Sequence, residues 1–330
     1  MPSKQIDPTD VRFFSGSSNR PLAQAIAEHL NVSLDSTHVS RFSNDNMYIQ
    51  LGASVRGRKV YIVQSLSPPV NDHLMELLMM IDIARSAGAR EVHALIPYYS
   101  FARSDKKDAP RISITARLVA DLLTTAGATH VMTMMLHSPQ VHGFFSVPTD
   151  PLTARMAFDQ YFRNRDLAET IVVAPDVGAA KSAGRFADSL GLPVAAGNKE
   201  RVSDTEVRIS GLIGKTVSGF TKAIIYDDEI STGSSMIELS RVLVANGVGN
   251  ITLVCTHGVF VAGAIEKLLS IPQIDEIVTS DTILIPPETS QLITVLPVAQ
   301  IFSDAILQNY SRQSLGELFT YWQDEEEEQA

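Results

Sequence analysis

Residues 223–246 read AIIYDDEISTGSSMIELSRVLVAN, and this stretch decides the fold. Ala223, Ile224, Ile225 and Tyr226 form a short apolar run of strand character. Met236, Leu239, Leu243 and Val244 then recur at helical spacing, with only a small-residue turn between the two patterns. A strand that turns directly into an amphipathic helix is half of a βαβ unit. Two carboxylates, Asp227 and Asp228, close the apolar run, and Ser231, Thr232, Ser234 and Ser235 surround Gly233.

The same alternation extends outward. Candidate strands at 11–14, 59–64, 91–96, 130–134, 170–174 and 251–256 join the one at 223–226, with amphipathic stretches at 72–87, 114–126 and 234–246 between them. Ala87-Gly88 and Asn246-Gly247 supply helix C-terminal signals. This pattern predicts an α/β fold with mainly parallel sheets flanked by helices. The two halves also rhyme. The first strand leads into Ser15-Gly16-Ser17-Ser18 and a helix near Pro21; the strand at 170–174 leads into Pro175-Asp176-Val177-Gly178 and a helix containing Lys181 and Arg185. We read a duplicated α/β domain, divided near 148–151 into residues 1–150 and 151–330.

Composition narrows the function. The chain has 330 residues, 45% hydrophobic, enough for two cores of ordinary size. Its net charge of −10 leaves no basic excess to displace counterions, which argues against a general nucleic-acid or anionic-membrane binder. Part of that charge is the solvated acidic tail, Asp324 to Glu328. Cys255 is the single cysteine, so neither an intrachain disulfide nor a cysteine zinc site is available. No apolar run reaches the ~18 residues of a membrane span, and MPSKQIDPTD has no apolar signal core. The expectation is a cytoplasmic protein whose phosphorylated ligands are held locally.

Ligands of such sheets sit beyond the carboxyl ends of the strands, so the segments following each strand carry the chemistry. Hydroxyls and free amides from Ser231 to Ser235 make an anion site at a helix N-terminus, and the acids beside it suit the vicinal hydroxyls of a sugar, or a cation. The same residues also suit a plain helix cap. At 174–181, Gly178, Ala179 and Ala180 let backbone approach a ligand and Asp176 could hold a hydrated magnesium; a turn with its cap reads equally well. The loop 97–108 gathers Tyr98, Tyr99, Phe101, Arg103, Lys106 and Lys107, which fits a nucleotide ring and its phosphates, or a solvated charged loop. His137 follows another strand. Lys199 and Arg201 lie in a polar stretch, 198–208, that reads as a mobile loop, either a lid able to close over transferring phosphoryl groups or a solvated charged face.

Taken in order, these segments resemble the ribose-phosphate pyrophosphokinases. The resemblance spans roughly residues 11–320 and is dense in Arg41-Phe42-Ser43, Ile62-Val63-Gln64-Ser65, the run from Pro69 to Leu78, Ile96-Pro97-Tyr98-Tyr99, Ala102 to Asp108, Leu136-His137, Gln140 and Gly143-Phe144-Phe145. It implies two phosphoribosyltransferase-like domains and transfer of a diphosphoryl group from magnesium ATP to ribose 5-phosphate, giving phosphoribosyl pyrophosphate and AMP for nucleotide biosynthesis. By carry-over, Asp227 and Asp228 would hold the ribose hydroxyls, and Ser231, Thr232, Gly233, Ser234 and Ser235 the ribose phosphate. Phe42, Asn44, Asn46, Arg103, Ser104 and Asp105 would bind ATP, with Phe42 supplied across a subunit interface. Lys199, Arg201 and His137 would be catalytic, and His137 and Asp176 would serve the Mg2+. The implied partners are ATP, ribose 5-phosphate and further copies of the chain, as a hexamer or a dimer-based homo-oligomer.

The chain departs from the family pattern at defined places. Where the family commonly has F-S-D-G-E, this chain has Phe42-Ser43-Asn44-Asp45-Asn46; Arg-Gln-Asp becomes Arg103-Ser104-Asp105; and D-L-H becomes Met135-Leu136-His137. Ser231 replaces a third acid of the ribose-phosphate loop, and Val202-Ser203-Asp204 replaces an Arg-Pro-rich continuation after Arg201. Magnesium disfavours sulfur, so Met135 cannot stand in for the missing carboxylate. The retained Asp176, Asp227, Asp228, His137, Arg103, Lys199 and Arg201 favour an active synthase with altered donor or metal preference. The alternative is a non-catalytic homologue that binds ribose phosphate or nucleotide and associates with an active synthase. A simple phosphoribosyltransferase would match only the C-terminal half.

Overall fold

A computed structural model of the chain describes residues 5–201, 207–286, 289 and 293–318. The chain packs as two units. The first comprises Met1–Thr153, Thr282–Leu284 and Pro297–Ala330, the second Ala154–Asp281 and Ile285–Leu296.

The first unit runs β1 (Val11–Ser15), α1 (Arg20–His29), β2 (Leu34–Asp35), β3 (Thr37–Arg41), β4 (Met47–Leu51), β5 (Lys59–Val63), α2 (Val70–Ser86), β6 (Glu91–Ile96), α3 (Thr115–Ala126), β7 (His130–Met134) and β8 (Thr149–Leu152). In the second unit follow α4 (Arg155–Arg163), β9 (Thr170–Ala174), α5 (Ala180–Ser189), β10 (Val194–Arg201), β11 (Val207–Gly214), β12 (Lys222–Ile230), α6 (Ser234–Ala245), β13 (Asn250–Gly258), α7 (Ala264–Leu269), β14 (Ile274–Ser280) and β15 (Ile293–Leu296). A last helix, α8 (Ala299–Tyr310), returns to the first unit and packs on α1. The division read from sequence placed these residues with the second half.

The first sheet has the order β2-β1-β5-β6-β7-β8 and is parallel throughout. The second is β11-β10-β9-β12-β13-β14-β15, parallel except where β10 meets β11. If β1 is matched with β9 and β5 with β12, the two orders correspond strand for strand from β2 and β10 outward. The rhyme at the start of each half is therefore a repeat of the whole sheet.

Both sheets are buried on both faces, which is why their strands read as short unbroken apolar runs. In the first unit, Phe14, Val60 and Ile62 pack with Leu77 and Met80 of α2 and with Val119 and Leu123 of α3. Alternation along the strands turns Phe13 and Tyr61 to the opposite face, where their rings stack with centroids 4.7 Å apart. In the second unit, Ile171, Val173, Ile225 and Leu253 meet Met236, Leu239 and Leu243 of α6, while Tyr226 stacks on Phe186 on the other side. Each such fully buried side chain contributes roughly 1.5–3 kcal/mol of burial.

Two sequence expectations are corrected, and one element is added. The strand expected at 223–226 continues through both acids to Ile230, because Asp227 and Glu229 stay in register with Cys255 and His257 of β13. The polar stretch expected to be a loop is largely a hairpin. Lys199 pairs with Ile209 and Arg201 with Val207, so ladder bonds outweigh polar composition there, and residues 202–206 lie outside the described part. The region between Asn31 and Arg58 holds a separate two-stranded hairpin, β3–β4, which carries Phe42 at its turn.

Candidate functional site

The site in the second unit is assembled by three adjacent strands, β10, β9 and β12. Ile225 pairs with Val173, so the end of β9 lies beside the middle of β12 and brings Asp176 near Asp227. Asp227 is half-buried. Its carboxyl is held well above the usual carboxylate range, first by burial, then by the charge and hydrogen bonding of Asp228, with Asp176 adding to the effect. The Asp228 N–H donates to Asp227 Oδ1 at 2.9 Å. Two adjacent acids, within reach of the charge of Asp176, thus stand where a group offering hydroxyl donors would relieve them.

Beyond β12 the chain reaches Gly233, whose φ of +75° lies in the left-handed region. A Cβ there would meet Leu268 of α7 at 3.0 Å, so both conformation and packing call for glycine. As the N-cap of α6 it offers no side chain to the first turn, where the Ser234 N–H donates instead to Thr232 Oγ1 at 3.4 Å. Thr232 Oγ1 sits 3.1 Å from Ser234 Oγ. The result is a helix N-terminus with hydroxyls around it, suited to a phosphate through backbone amides and dipole.

The turn after β9 is braced by Asp176, whose Oδ1 accepts the Ala179 N–H at 3.1 Å. A Cβ on Gly178 would lie 3.0 Å from that oxygen. Gly197, which the sequence reading passed over, allows β10 to approach the same turn: a Cβ there would come within 2.6 Å of the Pro175 carbonyl. The signal was present as Ala195-Ala196-Gly197, three small residues just before Lys199. Lys199 and Arg201 lie on β10 past its pairing with β9, which ends at Ala196, and their backbone pairs with Ile209 and Val207 of β11. Glu229 and His257, also passed over, are buried register partners next to the acids.

The remaining expected residues lie in the first unit. Phe42 is 57% exposed and meets Tyr48 edge-on at 5.7 Å. Asn44 and Asn46 are exposed in the same turn, and the Asn46 N–H donates to Asn44 Oδ1 at 3.3 Å. The turn is closed by Asp45, at φ +68°, where the family pattern has glycine. Arg41 reaches Asp45 Oδ1 at 2.9 Å and Asp72 of α2 at 2.8 Å, tying the hairpin to that helix. Arg103 is exposed at the end of a 3-10 turn (Ser100–Arg103), and Asp105 is half-buried. Ser104 serves α3: its hydroxyl accepts the Thr115 N–H and its carbonyl the Ala116 N–H. His137 is exposed after β7, just beyond Met135, which is buried at φ +42°. Because β6 and β7 are neighbours, the segments bearing Arg103 and His137 leave the same end of one sheet.

No helix among the described residues is long and apolar enough to cross a membrane. None of them form a group of three or more His, Cys, Asp or Glu placed to hold a metal.

Comparison with known proteins agrees with this arrangement. Residues 11–127 match the family described as the N-terminal domain of ribose phosphate pyrophosphokinase, and residues 211–320 match the phosphoribosyl synthetase-associated domain. A ribose-phosphate pyrophosphokinase of Deinococcus radiodurans is 46% identical over 93% of this chain and 97% of its own length. That of Caldanaerobacter subterraneus subsp. tengcongensis is 42% identical over 94% and 98%. The crystal structure of phosphoribosylpyrophosphate synthetase from Mycobacterium smegmatis superposes with a TM-score of 0.84 at 32% identity, covering 92% of this chain and 99% of that one. With the repeated sheet and the paired acids of β12 in place, these matches show that the chain belongs to the ribose-phosphate pyrophosphokinase family.

Proposed function

We propose that the chain carries out its family's reaction with the residues named above. The anomeric hydroxyl of ribose 5-phosphate attacks the β-phosphorus of ATP, the bond from that phosphorus to the α-phosphate oxygen breaks, and AMP leaves as phosphoribosyl pyrophosphate forms, with release of the hydroxyl proton. The observation that carries the assignment is the adjacency of β10, β9 and β12, with paired acids inside one strand and a glycine-started, hydroxyl-ringed helix N-terminus beyond it. The name shared by relatives at 42–46% identity favours this catalytic reading over a non-catalytic homologue.

In this reading Asp227 and Asp228 accept hydrogen bonds from the ribose hydroxyls, and the segment Ser231 to Ser235 holds the 5-phosphate. Lys199 and Arg201 neutralise charge that builds on the transferring group, an electrostatic and positioning role. Phe42, Asn44, Asn46, Arg103, Ser104 and Asp105 serve the nucleotide, and His137 its phosphates. The acids fit magnesium: their donors are hard oxygens, and magnesium takes one or two carboxylates while keeping waters and substrate phosphates for the rest. Asp176 would hold it in the second unit, and His137 would serve it on the nucleotide side. Magnesium, when bound, neutralises phosphate charge. The active form is a homo-oligomer, hexameric or dimer-based, with Phe42 completing a neighbour's nucleotide site.

The test is direct: purified chain, ribose 5-phosphate, magnesium and each nucleoside triphosphate in turn, with phosphoribosyl pyrophosphate and nucleoside monophosphate measured. Absence of turnover with every donor, alongside ribose-phosphate binding, refutes the catalytic reading. Lys199→Ala should lower kcat by about 10²–10³-fold or more while changing ribose-phosphate affinity little.

A further inference from the structure

The turn after β1, Ser15-Gly16-Ser17-Ser18, stands in the first unit where the Asp176 turn stands in the second, yet the reaction gives it no task. Its surroundings are unusual. Glu76, the seventh residue of α2, is 1% exposed and has its carboxylate in this turn. Glu76 Oε1 accepts the Ser17 N–H at 2.9 Å, and Oε2 accepts the Ser17 hydroxyl and the Gln64 Nε2–H, the latter at 2.8 Å. Gln64 Oε1 in turn accepts the Ser18 N–H at 3.1 Å and the Ser18 hydroxyl at 2.7 Å. Gly16 leaves room for this bridge, since a Cβ there would lie 2.3 Å from Gln64 Oε1.

We infer that the β1–α1 turn is an anion cradle permanently filled by the chain's own Glu76 carboxylate. The donors arrayed on the carboxylate are a backbone amide, a hydroxyl and an amide side chain, a set that would serve a carboxylate or phosphate group equally well. The second unit shows the contrasting state. The seventh residue of α6 is Ser240, fully buried, whose short hydroxyl makes no hydrogen bond and places no acid at the corresponding turn. The first copy of the repeat thus fills its turn from helix α2, whereas in the second copy only the turn's own Asp176 accepts a backbone amide there, that of Ala179.

Counting donors makes the inference strict. Glutamine at 76 would carry one NH2 group. Placed at the Oε1 position it opposes the Ser17 N–H; placed at the Oε2 position it opposes Gln64 Nε2. Turning Gln64 over only transfers the conflict to the Ser18 N–H. No glutamine arrangement satisfies every group, so two acceptor oxygens at position 76, not merely the shape, are required.

The experiment compares wild type, Glu76→Gln and Glu76→Ala by thermal unfolding with and without acetate as a small carboxylate probe. Both variants should lose on the order of 5 °C in Tm or more. Acetate should raise Tm in Glu76→Ala well beyond its effect on wild type or Glu76→Gln. A Glu76→Gln protein as stable as wild type, or an acetate response equal in all three, overturns the inference. Should neither variant fold, hydrogen exchange on the wild type decides: a Ser17 amide exchanging as fast as an exposed loop amide refutes an occupied cradle, and a slow one upholds it.

Discussion

Asp227 shows how a single carboxyl links stability to function. Its folded-state pKa is raised by burial and by Asp228, so the folded chain holds a proton there that the unfolded chain has already lost. Stability contributed at this position is therefore greatest at acid pH. It falls as pH rises from the ordinary carboxylate range through the raised value, and levels off above it. Asp227→Asn should flatten that limb and stabilise the unliganded chain near neutral pH by on the order of 1 kcal/mol, roughly 2–4 °C in Tm, while activity is lost. A thermal-unfolding series across pH on both proteins checks it; an unchanged pH profile would remove the strain from the site. The acids themselves were legible in the sequence because their position after an apolar run is local. Their coupling to Asp176 was not, because it depends on β9 and β12 pairing across about fifty intervening residues. The buried Glu76 was hidden for the same reason: an acid within an amphipathic helix reads as its solvent face until the opposing turn is known.

At the scale of elements, the β12–turn–α6 module is readable because each part carries its own signal: β-branched residues, a glycine among hydroxyls, then helical periodicity. Gly233→Ala tests the module as a whole. Its Cβ would press on Leu268 in a conformation that favours glycine, so the turn should shift, costing about 1 kcal/mol or more of stability. Ribose-phosphate affinity should fall as well, measured by titration calorimetry. A variant that loses stability but keeps affinity would separate the glycine from the phosphate site. The β10–β11 hairpin was the element least legible in sequence. Strand pairing there is earned by partner hydrogen bonds rather than by hydrophobic alternation, and Asn198 to Arg208 is polar enough to read as loop. Helix α8 was missed because no strand or cap signal announces its return to the first unit.

For the whole molecule, the repeat of strand order explains why the α/β class was evident from sequence and why the role of each half was not: a parallel sheet writes its pattern in apolar runs, whereas function resides in the differing turns. Oligomer assembly belongs to this scale. If Phe42 completes a neighbour's site, mixing inactive Phe42→Ala and Lys199→Ala chains after dissociation and reassembly should restore activity, to roughly a quarter of wild type for random pairing about a two-fold interface. Neither variant alone should recover. Failure of the mixture, with hybrid oligomers present by mass, would confine each site to one chain.

The continuation of β12 beyond its acids has a consequence for recognition. Asp227 and Asp228 sit within a hydrogen-bonded ladder, so their backbone is fixed before any sugar arrives. On the proposed reading, a ribose held here would meet a rigid backbone and spend no ordering entropy on it, while adaptation would fall to the small-residue segment that follows. Amide exchange should record this as a boundary. Protection at Asp227 and Asp228 should be high and unchanged by ribose 5-phosphate, and protection at Thr232 to Ser235 should rise with it, so that the molecule behaves as a stiff jaw ending in a soft fingertip.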